Sequence, residues 1–194
     1  PSAASRTAAS HVVIGCNELD PRPGAQTIYN TLLVIGRDGK LLGKHRKLIP
    51  TFTERMFWGQ GDGRDLAVFE TDIGRIGGLI CGENLMTTAR AAMAAQGEHI
   101  HIAVFPGSFA LHTGPKLEEL DQQGFFWGNF ATRAHAMEAG TFVIQACGIN
   151  EEADIPEQFP YKGKMNIDYA KGGSAVLSPL GVPLVEPQFG EQII

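Results

Sequence analysis

Cys81 is the residue of this chain whose setting suits chemistry. It closes the run Gly77-Gly78-Leu79-Ile80, an apolar, glycine-punctuated stretch that reads as a buried strand over residues 73–80. An alanine-rich helix follows over residues 89–96, with Gly97 as its stop. Cys81 is thereby placed on a strand-to-helix elbow. Gly82 behind it has no side chain, so its N–H can approach a ligand closely. A thiol beside an N–H near a helix start suits acyl transfer: sulfur attacks and the amide steadies the developing charge. A lone cysteine is more often a small buried hydrophobe, so the reading depends on its neighbours.

Those neighbours begin with Lys44-His45-Arg46-Lys47-Leu48-Ile49-Pro50-Thr51. A lysine at a strand end, followed by proline, points its amine into a loop region. Glu54 comes seven residues after Lys47, near enough to share a site with it. On charge alone the run would be a solvated basic edge that discourages strand pairing. Residues 59–63 are glycine-rich but lack the Lys-Ser/Thr of a phosphate loop. His99 and His101 are two apart and could face one side of a strand as metal ligands, but no third ligand has suitable spacing. No metal site is expected.

The elements that must position these groups can be read from pattern. Residues 11–16, 29–35 and 40–45 read as strands, the last two joined by the Asp38-Gly39 turn. Residues 18–24 read as a polar loop. Residues 66–71 and 73–80 form a second hairpin leading to Cys81. Residues 100–106 form another strand, whose end at Pro106-Gly107-Ser108 points the same way as the elbow if the two strands are parallel. Residues 115–140 contain a long helix, with Pro115 near its first turn and Gly140 past its end. Its stripe of Leu120, Phe126, Phe130, Ala134 and Met137 should face a sheet, and His135 reads as structural. Residues 141–147 form a strand in which Cys147 is a core thiol. Residues 151–164 are a polar loop, and residues 173–181 a strand and turn. The alternation says α/β, and the hairpins say the sheet is mixed.

Composition narrows the classes. The 194 residues carry 16 basic and 21 acidic side chains, a net charge of -5, which argues against nucleic acid as the main partner. No apolar run approaches the roughly 20 residues of a membrane span. No apolar segment follows the first residues as in a signal peptide. Cys16, Cys81 and Cys147 are an odd set without framework spacing and read as reduced thiols of a cytoplasmic protein. The chain starts without methionine and ends without a stop signal. A single domain over 1–194, cut at both ends, is expected.

Several linked stretches resemble the nitrilase branch of the carbon–nitrogen hydrolase family. They are Tyr29-Asn30-Thr31, Gly43-Lys44-His45-Arg46-Lys47-Leu48, Pro50-Thr51, Glu54-Arg55, Trp58-Gly59-Gln60-Gly61-Asp62 and residues 77–84. The likeness runs in order over essentially the whole chain, and Lys47 and Cys81 stand 34 residues apart as in that family. It implies a four-layer α-β-β-α sandwich with mixed sheets and a Glu–Lys–Cys triad. Carried over by motif, Cys81 is the nucleophile, Lys47 the lysine and Glu54 a second glutamate near the site. Gly82, Trp58 and Pro106 are expected to form the oxyanion and substrate-binding part. The general-base glutamate of the family lies upstream of these motifs, so it is expected outside this chain; neither Glu18 nor Glu83 replaces it. Gly82 stands where the family commonly has tryptophan. The resemblance implies hydrolysis of nitriles to carboxylic acids and ammonia through a cysteine thioimidate and thioester. It implies no metal or organic cofactor, and a homo-oligomer. An amidase or carbamoylase is the nearest alternative. A non-catalytic fragment is the other, and this piece alone is expected to turn over little.

Overall fold

Turn chemistry builds the first sheet. In the computed structural model, which describes residues 1–106, 127–160, 162 and 172–190, β1 (Val12–Leu19), β2 (Ile28–Ile35) and β3 (Leu41–Arg46) form an antiparallel sheet in the order β1-β2-β3. Gly39 takes the left-handed conformation, φ 76°, that closes β2 onto β3. β1 runs three residues past the expected end at Cys16. Glu18 faces Tyr29 across the sheet and bonds Thr31 and Arg46, so the ladder has partners to continue.

The second sheet has six strands in chain order: β4 (Phe69–Thr71), β5 (Gly74–Ile80), β6 (Ile100–Phe105), β7 (Phe142–Cys147), β8 (Gly172–Leu177) and β9 (Pro183–Phe189). β5, β6 and β7 are parallel, and the outer pairs are antiparallel. The parallel centre places the ends of β5 and β6 on one side, so Cys81 and Pro106 emerge together. β9 is not evident from its sequence, because Pro183 and Pro187 interrupt it; it lies at the sheet edge, where proline is tolerated.

Three helices complete the described residues: α1 (Ser2–Ala8), α2 (Thr87–Ala95) and α3 (Trp127–Ala139). β5 is sandwiched, and its alternation decides what it touches. Leu79 packs with Ala89 and Met93 of α2. Gly78 points to the opposite face, where the first sheet lies. A Cβ there would meet Leu32 Cδ2 and the Ile102 carbonyl oxygen, each at 2.8 Å. The two sheets approach this closely because the strand between them carries no side chain at that point.

The apolar stripe on α3 faces the other way from the expectation. Phe130 and Met137 are 59% and 65% exposed, whereas Ala131, Thr132, His135 and Ala136 are buried. The sheet beneath the helix presents Gln145 and His101, so the buried face is small and hydrogen-bonding; Thr132 Oγ1 donates to Gln145 Oε1 at 2.9 Å. Gly107, Ser108, Leu120, Phe126, the start of the 115–140 helix, residues 161, 163 and 164 of the polar loop and residues 191–194 lie outside the described residues. No helix among the described residues is long and apolar enough to cross a membrane.

Gly78→Ala should destabilise the protein by about 1–3 kcal/mol, since the added methyl presses on backbone that cannot yield. Denaturant midpoints at unchanged m-value would read this, and an unshifted midpoint would refute the close approach.

Candidate active site

The elbow is set by side chains behind it. Cys81 has φ 53° and opens a single 3-10 turn, Cys81–Leu85, before α2. Glu83 is buried and points back. Its carboxylate accepts from the Ile80 amide at 2.9 Å and the Leu48 amide at 2.5 Å, and lies 2.8 Å from His45 Nε2. One carboxylate thus ties the elbow to the segment carrying Lys47. Asn84 Nδ2 donates to the carbonyls of Leu79 and Cys81 at 3.2 and 3.1 Å.

Lys47 leaves the end of β3 and is 1% exposed. Its Nζ donates to Glu54 Oε2 at 2.6 Å. The same oxygen accepts the Thr51 amide at 2.5 Å, and Oε1 accepts Asn30 Nδ2 at 3.3 Å. Glu54 caps its own 3-10 turn, Phe52–Met56, and neutralises the lysine with one carboxylate. A buried ammonium needs such a partner, because removing it from water unpaired is prohibitive.

Cys81, Glu54, Trp58 and Pro106 line one cavity of about 370 Å³, together with Asn17 and Asn30. Trp58 is fixed there by its Nε1–H, which donates to Asn17 Oδ1 at 2.8 Å. Lys47 sits behind Glu54, yet its charge is felt at the sulfur. Burial pushes the Cys81 thiol up; Lys47 and a hydrogen bond from the Gly82 amide pull it down, and Glu54 and Glu83 push it up. The net direction is upward. The cation does favour the thiolate, as the triad implies, but burial outweighs it and the resting thiol is protonated at neutral pH. The Gly82 amide is directed at the sulfur in this state. A Cβ on Gly82 would stand 3.0 Å from Thr51 Oγ1, so a side chain there requires the Thr51 hydroxyl to give way slightly. Burial pushes Cys147 up to about 12.

Glu18 does not line the cavity. It accepts from Arg46 Nη2 at 2.5 Å, from Thr31 Oγ1 at 2.9 Å and from Lys44, and the Arg46 bond above all holds its carboxyl down at about 2. His99 lies against Arg75 rather than joining His101. His101 does have partners that spacing could not reveal. Glu98, His101 and His135 bring three potential metal-donor atoms within 4.8 Å of one another. Their facing atoms are already engaged: His101 Nδ1 lies 3.0 Å from Glu98 Oε2, and His135 Nε2 bonds the same carboxyl. The group is a hydrogen-bonded cluster. Asn30 and Thr51, which hold Glu54, are also absent from the expected site; both lie inside motif stretches that could have flagged them.

The carbon–nitrogen hydrolase family model matches residues 2–194. The chain belongs to this family. A nitrilase of Paraburkholderia phymatum is 40% identical over 185 residues, covering 94% of this chain and 50% of that protein. A bifunctional nitrilase/nitrile hydratase of Lupinus angustifolius, NIT4A, is 37% identical over 193 residues, covering 95% and 49%. Among solved structures, a Helicobacter pylori carbon–nitrogen hydrolase superposes with a TM-score of 0.77 at 22% identity, covering 98% of this chain and 62% of that one. Saccharomyces cerevisiae Nit3, of branch 10 of the nitrilase superfamily, gives 0.73 at 23%, covering 98% and 60%. The mixed α/β architecture with two sheets is thus that of the family. This carbon–nitrogen hydrolase chain spans about half the length of the curated relatives it matches.

Removing the lysine charge should move the Cys81 thiol further up. Lys47→Met takes away a lowering charge and slows iodoacetamide labelling of Cys81 at fixed pH, about tenfold for each pKa unit. Peptide-resolved mass spectrometry reads this, and labelling at the wild-type rate would refute the coupling. Glu18→Gln should cost about 1 kcal/mol at neutral pH. Because the folded pKa is depressed, that stabilisation is present above about 4.5 and fades as pH falls toward about 2. Thermal melts of both proteins should therefore converge in acid.

Proposed function

We propose that the whole protein hydrolyses nitriles to carboxylic acids and ammonia through a covalent bond to Cys81. The observation that supports this best is a thiol on a left-handed elbow, facing a cavity lined by Glu54, with Lys47 bonded to that carboxylate from behind. A nitrile carbon accepts attack poorly, and a thiolate is the strong nucleophile near neutral pH. The resting thiol is protonated, so attack requires a carboxylate to take its proton. The resemblance assigns that step to a glutamate upstream of this chain's motifs, with Glu54 fixing Lys47.

Sulfur bonds to the nitrile carbon as its proton passes by way of the base to nitrogen, giving a thioimidate. Water adds to that carbon and ammonia leaves, giving a thioester. A second water releases the acid and restores the thiol. The Lys47 cation and the Gly82 amide stabilise negative charge as it builds on nitrogen and then on oxygen. Trp58 and Pro106 bound the space left for the substrate side chain. The chemistry calls for no metal or organic cofactor. The reading includes a cytoplasmic homo-oligomer acting on a small nitrile; the three unpaired cysteines and acidic balance are in keeping with it.

Ammonia release from matched nitrile and amide panels tests the reaction. Nitriles should be the faster substrates, and Cys81→Ala should reduce release by roughly a thousandfold or more. Faster release from amides, or activity that survives the substitution, would overturn the proposal.

A further inference from the structure

The left-handed backbone at Cys81 is a conformation that persists only where its surroundings enforce it. Asn84 is the enforcing side chain on the carbonyl side. Its Nδ2 reaches the carbonyls of Leu79 and Cys81, which bracket Ile80. Carbonyls accept only, so the amide's other end, Oδ1, is turned away from them. It faces His101 Nε2 at 3.0 Å, and since Oδ1 cannot donate, Nε2 carries a hydrogen. On the far side of the ring, Nδ1 meets Glu98 Oε1 and Oε2 at 3.1 and 3.0 Å, a contact that holds one further hydrogen between ring and carboxyl.

The charged and titratable groups around this ring come from three elements. Glu98 precedes β6, and His135 on α3 bonds the same Glu98 carboxyl. Arg90 on α2 donates from Nη1 to the Asn84 carbonyl at 3.1 Å and the Ala131 carbonyl at 3.4 Å. Glu98, His101, His135 and Asn84 are each no more than 3% exposed. Their burial strengthens these bonds, so the chain from helix α3 to the elbow is held by protein partners.

We propose that His101, clamped by Glu98 and His135, is a positioning residue for Cys81, holding the elbow through Asn84. This rests on the reading of Cys81 as the nucleophile. With the His101 donor gone, the Asn84 amide is released to turn, the Cys81 carbonyl loses its donor, and the sulfur drifts from the Gly82 amide and from Lys47.

The test compares His101→Leu with His101→Gln, whose side chain keeps an N–H donor, in the whole protein. Turnover of a nitrile panel is measured together with peptide-resolved iodoacetamide labelling of Cys81, with Cys16 as internal reference. The leucine variant should lose about ten- to hundredfold in kcat with KM nearly unchanged. Cys81 labelling should fall while Cys16 labelling holds, and glutamine should recover most of both. A leucine variant that melts earlier, yet labels Cys81 at the wild-type rate, would make His101 merely structural and overturn the proposal. Should that variant not fold, Asn84→Asp reads the same link, because an aspartate oxygen cannot donate to the two carbonyls; unchanged Cys81 labelling in it would be equally fatal. Wild-type protein that labels at Cys81 but releases no ammonia from nitriles would sink the proposed function and leave the labelling comparison standing.

Discussion

A lysine ammonium almost without solvent is the constraint around which this site is built. Lys47 cannot hold its charge there unless a carboxylate meets it, and Glu54 does so. That carboxylate is itself fixed by the Thr51 amide and Asn30, so the loop after β3 has little freedom. Glu83 then stitches the same loop to the elbow through the Leu48 and Ile80 amides. Two acidic residues therefore divide the work. One neutralises the cation at the cavity, and the other fixes the distance between the two segments that meet there.

The electrostatics of the sulfur follow from that arrangement. A bare lysine beside a thiol would be a strong activator. Here its charge is shared with Glu54, and burial dominates. The result is a thiol whose burial favours the protonated form over the thiolate, so under the proposed function it would need a base to react. Cys147 is pushed in the same direction, chiefly by burial, with no cation to oppose it.

Much of this was legible in the chain. The strand-to-helix elbow and the Asp38-Gly39 turn follow from local pattern and short motifs, as does the neighbourhood of Lys47 and Glu54, seven residues apart. The parallel pairing of β5 with β6, on which the meeting of Cys81 and Pro106 depends, is supplied by the fold. What pattern could not show is what lies under α3. An apolar stripe is ordinarily the buried one, but the sheet below offers Gln145 and His101, and the helix answers with Thr132 and His135. Partners as far apart in the chain as Glu98 and His135 carry no local signature. β9 was hidden for a related reason: prolines argue against a strand unless its place in the sheet is known.

That place has a consequence of its own. A bare strand edge invites another strand to add to it and so extend the sheet from one molecule to the next. At Pro183 and Pro187 the outer strand has no N–H to give an incoming backbone. Among the described residues no ladder can run unbroken along β9 on either side, because neither proline has a hydrogen to donate.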